Sequence, residues 1–233
     1  MLEIDLENYK KKRKDLFSPE YKEFLNLHKY AHKNFIKINK GSHHQKDIAF
    51  KGNSLLPHIT FIKKLIKDYK CKSLLDYGCG KALMYFESFY SKSSGEAYKN
   101  IEEYWNEIKK ITLFDPCYNK FNNFPNSLSD ITICTDVLEH IPEKDLDWVT
   151  EELFLLSKKA VFIAVPTYLS SELLDGNINT HLTVKDGLWW RDKIESVQKK
   201  FQHIDYYLVY RYISRNGRKN RLLTNNKKFK NFL

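Results

Sequence analysis

The sequence predicts an α/β protein with a doubly wound, mostly parallel sheet and an N-terminal helical extension. Short apolar runs recur along the chain, and several end in an acidic residue and a turn, as buried parallel strands do at the edge of a sheet. Amphipathic segments with helical spacing separate these runs. With 233 residues, of which 42% are hydrophobic, the chain is long and apolar enough to bury a core in one α/β domain.

The first elements are predicted to be helical. Ser18 and Pro19 have the residue types of an N-cap and a first helical position, and their helix is expected to run to about His32. A polar loop follows from Lys37 to Gly52. Residues 54–69 repeat apolar positions as an amphipathic helix does.

After these helices, strands and helices alternate. The predicted strands are Ser73–Asp76, Ile111–Phe114, Asp130–Cys134, Ala160–Val165 and a late antiparallel strand, Tyr206–Ile213. The predicted helices are Ala82–Tyr90, Tyr98–Ile108, Pro142–Ser157 and Thr183–Lys200. This alternation predicts a Rossmann-like sheet with helices on both faces. We expect an N-terminal helical lid over residues 1–53, a sheet domain over 54–215 and a basic tail over 216–233.

Composition and charge indicate the cellular compartment of the protein and the kinds of partner that it could bind. The start of the chain lacks the pattern of a signal peptide, no apolar run is long enough to cross a bilayer, and the four cysteines form no C-x-x-C pair. We therefore expect a reduced, cytoplasmic protein. The net charge of +10 is concentrated in a block at Lys10–Lys14 and in a segment free of acidic residues from Arg211 onward. That segment could bind nucleic acid, a phosphorylated substrate or an anionic membrane surface, or it could be a solvated tail.

The segment SLLDYGCG, residues 73–80, has the pattern of a strand that delivers its backbone to a nucleotide-like ligand. Glycines permit a tight turn and a close approach of the main chain. No third glycine completes a dinucleotide fingerprint, and no Gly-Lys-Ser/Thr follows as in a P-loop. Asp76, Tyr77, Gly78 and Gly80 are therefore candidate cofactor-binding residues. The alternative is an ordinary glycine turn after a strand.

The ends of the next two strands add further candidates. Asp115, followed by Pro116, can accept hydrogen bonds from both hydroxyls of a ribose. It lies further from the glycine turn than the usual spacing of about 20 residues, which we interpret as an insertion over Glu87–Lys110. Only a short stretch separates Asp115 from the next strand, so the sheet is expected to be abbreviated. Thr135 and Asp136 end that strand. Asp115 could instead be a turn residue.

Two acids and two histidines suggest a metal site. Asp136, Glu139 and His140 have the i, i+3, i+4 spacing of one helical face, and carboxylates with imidazole suit Mn²⁺ or Mg²⁺. His181 follows a later strand and precedes a predicted helix, so it can reach the same crevice. The alternatives are that Glu139 and His140 cap and pack the turn without a metal, and that His181 is hydrogen-bonded in its loop.

These motifs resemble known methyltransferases. The glycine turn resembles motif I, D/E-x-G-x-G-x-G, of class I S-adenosylmethionine-dependent methyltransferases, with Ala82 in place of the last glycine. The segment after the third strand resembles the E-x-x-E-H of metal-dependent O-methyltransferases of the ubiquinone-pathway and small-RNA 3′-terminal ribose types, with Asp136 replacing the first Glu. The segments LLDYGCGKA, FDP, ICTDVLEHIP and HLTVKDGLWW are similar to a bacterial and phage family with LLDYGCGKG, YDP, ICTDVLEHIP and HLTVKPPEWW, over about half the chain.

This resemblance implies a function and a set of roles. It implies S-adenosylmethionine as cofactor, a divalent metal bound by Asp136, Glu139, His140 and His181, and methyl transfer to an oxygen of a small-molecule or saccharide acceptor. Some relatives act in surface-polysaccharide biosynthesis, including methylation of a capsular phosphoramidate. His140 and His181 would act as ligands, and His43 or His44 is the candidate general base.

Two other functions remain open at this point. The first is methylation of an RNA 3′-terminal ribose, with the basic tail holding the strand; it predicts steep salt dependence of binding. The second is a non-catalytic binding protein that keeps the glycine turn and binds a nucleotide without turnover. The oligomeric state is not predicted.

Overall fold

Strands and helices alternate along most of the chain in the computed structural model, which describes residues 5–33, 37–38 (backbone only), 50–91, 93–174 and 177–229. The strands are β1 (Lys37–Ile38), β2 (Ser73–Tyr77), β3 (Phe89–Ser91), β4 (Glu96–Tyr98), β5 (Lys110–Phe114), β6 (Ser129–Thr135), β7 (Ser157–Pro166), β8 (Glu172–Leu173), β9 (Asp205–Ser214) and β10 (Gly217–Thr224). The α-helices are α1 (Leu6–Lys12), α2 (Pro19–Lys33), α3 (Ile59–Asp68), α4 (Ile101–Tyr104), α5 (Leu146–Leu155) and α6 (Gly187–Gln198).

The central sheet has six strands in the order β10-β9-β7-β6-β2-β5. All neighbouring pairs are parallel except β9 with β10. The chain passes from β2 outward to β5 and then returns to the other side of β2 as β6, so the winding direction reverses between β2 and β6. A reversal of this kind opens a crevice at the carboxyl ends of the two strands. The predicted Rossmann-like, mostly parallel α/β fold is confirmed.

Both faces of the sheet are buried, as the continuous apolar runs of the inner strands require. Along β7, Val161, Ile163 and Val165 pack on the face covered by α2, α5 and α6. Phe162 and Ala164 pack on the other face, which α3 and α4 cover. Two core layers with one sheet between them are the arrangement expected for a doubly wound fold.

The N-terminal helices belong to the first of these core layers. Ser18 accepts a hydrogen bond from the backbone N–H of Tyr21 at 3.0 Å, so the predicted N-cap and the start of α2 at Pro19 are confirmed. Upstream, the buried Arg13 donates two hydrogen bonds to Glu152 of α5, at 2.8 and 2.7 Å. This ion pair and the buried apolar face of α2 hold the N-terminal segment against the sheet.

The predicted helix Ala82–Tyr90 is wrong. Ala82 lies in the left-handed region at φ 54°, and only a single 3-10 turn, Leu83–Tyr85, follows it. The next residues form the hairpin of β3 and β4, in which Phe89 pairs with Tyr98 and their rings stack at 5.8 Å. Aromatic cross-strand pairing therefore takes the end of this segment into a hairpin rather than a helix.

The end of the sheet also differs from expectation. The strand predicted over Tyr206–Ile213 is present as β9, but it is parallel to β7 and antiparallel only to β10. Residues 217–224, which we expected in a basic tail, are the edge strand β10. The helix predicted from Thr183 begins at Gly187, because Asp186 caps the N–H groups of Leu188 and Trp189.

Two further observations concern the setting. Within the described ranges, no helix is both long and apolar enough to span a membrane. All four cysteines are buried and carry free thiols. Cytoplasmic location stays a prediction.

Candidate functional site

A pocket of about 680 Å³, including the space at its open mouth, lies at the carboxyl ends of β2, β5 and β6. The sequence-predicted cofactor residues in its wall are Tyr77, Gly78, Gly80, Asp115, Pro116, Thr135 and Asp136. Helix α2 closes the opposite side with Tyr21, Phe24, Leu25, His28 and His32. The crevice predicted by the strand order is therefore a real cavity, and the N-terminal extension forms one of its walls.

The glycine turn gives the pocket room rather than hydrogen-bond donors. Gly78 and Gly80 have φ values of 78° and 58°, and a Cβ on Gly80 would lie 2.5 Å from the carbonyl oxygen of Phe50. The N–H of Gly78 donates to Phe114 at 2.7 Å, and the N–H of Gly80 donates to Asp115 at 2.9 Å. Both glycines are thus required by the backbone path, and both of their N–H groups are used within the protein.

Asp76 is placed differently from the other predicted cofactor residues. It is buried and is absent from the pocket lining. Its carboxylate accepts a hydrogen bond from the hydroxyl of Tyr85 at 2.9 Å, within the core layer that α3 covers. Burial raises the pKa of Asp76 to about 7. Side chains alternate along a strand, so Asp76 faces away from its pocket-lining neighbour Tyr77.

Asp115 holds the glycine turn in place and also lines the pocket. Its Oδ2 accepts the N–H of Gly80 at 2.9 Å, and its Oδ1 accepts the N–H of Cys117 at 2.8 Å. Each carboxylate oxygen has a second lone pair, so the side chain keeps the capacity to accept hydrogen bonds from a ligand. The carboxylate orientation is therefore determined before any ligand arrives.

Glu139, His140 and His181 form a compact group of side chains of the kinds that can hold a metal ion. One ligand atom from each lies within 4.8 Å of the other two. Glu139 and His140 belong to the 3-10 turn Leu138–His140 that follows β6, whereas His181 lies in the loop before α6. The Nε2 atoms of His140 and His181 are 3.8 and 3.9 Å from Oε1 of Glu139.

Backbone carbonyls orient both imidazoles. Nδ1 of His140 is 2.6 Å from the carbonyl oxygen of Thr180, and Nδ1 of His181 is 2.7 Å from that of Tyr168. A carbonyl only accepts, so each Nδ1 carries the proton, and the lone pair of each Nε2 is available on the side of Glu139. Burial lowers the pKa of His140 to about 4 and also lowers that of His181, which keeps both rings neutral.

The carboxylate of Glu139 is the most telling feature of the group. Its side chain is fully buried, and neither oxygen has a hydrogen-bond partner among the described residues. Burial, and then the nearby charge of Asp136, raise the pKa of Glu139 well above its ordinary value. A buried acid without a partner is costly unless a cation compensates it. One carboxylate and two oriented imidazole nitrogens fit a divalent cation.

Asp136, the predicted fourth ligand, lies outside this group. It adopts the left-handed conformation at φ 53° before the 3-10 turn begins, so the helical-face argument from i, i+3, i+4 spacing does not hold. Its Oδ1 accepts a hydrogen bond from Nη2 of Arg211 at 2.5 Å. Asp136 lines the pocket, and we interpret it as an ion-paired wall residue next to the three-residue group.

The pocket and the three-residue group share a wall. His140 belongs both to the pocket wall and to the three-residue group. The ring of His28 in α2 packs against the ring of His140, with centroids 5.5 Å apart. Of the three side chains in the group, His140 is the one in the pocket wall, so a ligand in the pocket would lie beside the group at that ring.

Sequence reasoning missed three residues of this region. His28 and His32 were not selected as site residues, although their i, i+4 spacing places them on one face of the predicted helix. Arg211 carried no local signal, because its partner Asp136 is distant in sequence. The candidate base His43, with His44, lies outside the described residues, and so does most of the predicted lid loop.

The chain matches no family model, and it has no significant match among curated proteins or solved structures.

Proposed function

We propose that the protein is an S-adenosylmethionine-dependent O-methyltransferase that also uses a divalent cation, Mn²⁺ or Mg²⁺. The observation that carries this proposal is the shared wall at His140. A pocket at the switch point of the sheet lies beside a group of one buried carboxylate and two oriented imidazoles.

The pocket suits a cationic cofactor that lacks a pyrophosphate. Asp115 puts a carboxylate in its wall, beside the Asp136 carboxylate that is paired with Arg211, and Tyr21, Phe24 and Tyr77 add aromatic rings. Carboxylates and aromatic faces both attract a sulfonium. When bound, S-adenosylmethionine supplies the electrophilic methyl group. The protein contributes positioning, because methyl transfer requires the acceptor oxygen in line with the methyl carbon.

The metal-ligating group would act on the acceptor. Glu139, His140 and His181 would hold the cation, whose chemistry is to polarise an acceptor oxygen and lower the pKa of a hydroxyl. Thr180 and Tyr168 keep the two rings in the required tautomer through their carbonyls. Arg211 pairs with Asp136, and its positive charge offsets the negative charge of that carboxylate in the pocket wall.

The acceptor class follows from the motif resemblance. It favours a hydroxyl or phosphoryl oxygen of a small molecule or saccharide, including a sugar or phosphoramidate of a surface polysaccharide. A second candidate, an RNA 3′-terminal ribose, is favoured by one observation. The edge strand β10 exposes Arg218, Lys219 and Arg221 in one short segment, an arrangement that attracts a phosphate backbone.

Calorimetric titration of S-adenosylhomocysteine and Mn²⁺ tests the proposal, with wild type compared with His181→Ala. We expect wild type to bind both ligands. The variant should still bind the nucleoside S-adenosylhomocysteine but should no longer bind Mn²⁺. His203→Ala is the matched control, because His203 is exposed and distant in sequence from both sites. Methyl transfer to sugar phosphates and to RNA 3′ ends then separates the two acceptor classes.

Each alternative outcome has a defined meaning. Nucleoside binding without any metal binding would leave a metal-free methyltransferase, in which Glu139 and His140 only pack the turn. Binding of neither ligand would overturn the proposal. Nucleoside binding with no transfer to any acceptor would favour a binding protein.

A further inference from the structure

Helix α2 places a buried imidazole opposite the ribose-binding candidate Asp115. His32 lines the pocket, and only 8% of its surface is exposed. Its Nδ1 is buried and has no hydrogen-bond partner among the described residues. Its Nε2 faces Oδ1 of Asp115 at 3.9 Å. A buried polar ring and a buried carboxylate therefore face each other in a ligand pocket without a direct hydrogen bond.

The position of the His32 ring is determined by packing. It stacks on Tyr118, with centroids 5.2 Å apart and an interplanar angle of 26°, and it packs against Phe50 at 4.6 Å. Asp115 is equally constrained by the N–H groups of Gly80 and Cys117. Neither side chain can close the gap without losing these contacts, so the separation of 3.9 Å is built into the fold.

The gap has the size and chemistry of a hydroxyl site. A separation of 3.9 Å is too long for a hydrogen bond but short enough for one oxygen to lie about 2.8 Å from both atoms. Burial lowers the pKa of His32, so its ring is neutral near pH 7 and offers one donor and one acceptor. A hydroxyl matches this pair because it can donate to Asp115 and accept from His32.

We propose that His32 and Asp115 together bind the vicinal hydroxyls of the ribose of S-adenosylmethionine, one of them bridging the two side chains. This inference rests on the proposed function and extends it. The N-terminal extension is then part of the cofactor site and makes the pocket selective for ribonucleosides. Nothing in the local sequence around His32 indicates this role, because it arises only where α2 meets the end of β5.

The test measures binding, not turnover. The ligands are S-adenosylhomocysteine and its 2′-deoxy and 3′-deoxy forms, titrated calorimetrically into the full chain. His32→Phe keeps an aromatic ring for Tyr118 and Phe50 and removes both nitrogens. Lys33→Ala is the matched control, because Lys33 is the exposed next residue of α2.

We expect wild type to bind S-adenosylhomocysteine about tenfold or more tightly than at least one deoxy form. His32→Phe should weaken binding of the full nucleoside by a similar factor and bind that deoxy form as wild type does, since the lost hydroxyl and the lost imidazole remove the same interaction. Lys33→Ala should match wild type.

The contrary outcomes separate the two proposals. If wild type and His32→Phe bind S-adenosylhomocysteine equally, His32 is a packing residue and the inference is overturned while the proposed function stands. The inference is also overturned if the variant weakens all three ligands equally, because its effect is then steric. If wild type binds none of the three, the proposed function itself fails, and this inference fails with it.

Discussion

Replacing Glu139 with Gln should stabilise the metal-free protein and abolish its response to Mn²⁺. Glu139 is fully buried with both oxygens unpartnered among the described residues, so folding without the metal must either bury its charge or protonate it, and both are costly. Gln has nearly the same shape and no charge. The substitution therefore removes the cost and the proposed ligand together.

The magnitude follows from the burial. A buried, uncompensated charge costs at least the 1–3 kcal/mol typical of an unsatisfied polar group, and the amide keeps part of that penalty, so we expect a gain of about 2 kcal/mol at pH 7. For a chain of this size the melting temperature should rise by about 4–8 °C.

The size of this gain in stability depends on pH. The pKa of Glu139 is raised in the folded state, so the cost is absent below the unfolded value near 4.5 and grows as the pH rises above it. The difference between variant and wild type should therefore shrink toward pH 4.

Thermal unfolding in EDTA and in excess Mn²⁺ is the assay. Ligand present at about 100 times its Kd stabilises wild type by about 2.7 kcal/mol, so Mn²⁺ should cancel or reverse the ranking seen in EDTA. Glu143→Gln is the matched control, since Glu143 is on the next turn but is exposed and ion-paired with Lys185. It should change stability by under about 0.5 kcal/mol in both conditions.

Two results would refute this reasoning. A Glu139→Gln protein that is less stable than wild type in EDTA would mean that the carboxylate supports the metal-free fold. Equal stabilisation of both proteins by Mn²⁺ would mean that Glu139 is not a ligand.

Further predictions address the framework of the site. Arg13→Ala leaves the buried Glu152 without its ion-pair partner, so urea unfolding should show a loss of about 3–5 kcal/mol; a loss under about 1 kcal/mol would contradict the buried pair. Gly80→Ala forces a Cβ toward the carbonyl oxygen of Phe50 at a positive φ and should cost about 1–3 kcal/mol in the same assay, whereas an unchanged midpoint would argue against the turn geometry. Burial raises the pKa of Asp76 to about 7, so wild-type stability should fall as the pH rises from about 4 to about 7, by up to about 1.4 kcal/mol per pH unit from this group. Asp76→Asn should lack this component, and an identical pH profile for both proteins would refute it.

Much of the fold could be predicted because its signals are short-range. The apolar runs of β2, β5, β6 and β7 are recognisable from a few consecutive residues, and burial on both faces makes each run continuous. The start of α2 is equally local, since Ser18 caps its own helix. The prediction over Ala82–Tyr90 was wrong because an αL residue and a cross-strand aromatic pair ended the helix, and the pairing partner lies outside the window that a helical pattern uses.

The candidate site also contains some residues that the sequence could indicate and some contacts that it could not. Asp115, Glu139, His140 and His181 could be selected from the sequence alone, because each follows a strand whose carboxyl end must lie at one edge of a parallel sheet. The sequence could not show that Asp136 pairs with Arg211, because that contact depends on β9 lying parallel to β7.

The sequence by itself determined which residue types stand at the ends of the strands. It thereby also determined that a crevice lies beside a cluster of acids and histidines, because both features depend on local pattern and on the direction of parallel strands. Only the tertiary structure decided which groups face each other. It brought α2 over the pocket, set His32 at 3.9 Å from Asp115, and left Glu139 buried without a partner among the described residues. These distances depend on the packing of segments far apart in the chain, and no local pattern encodes them.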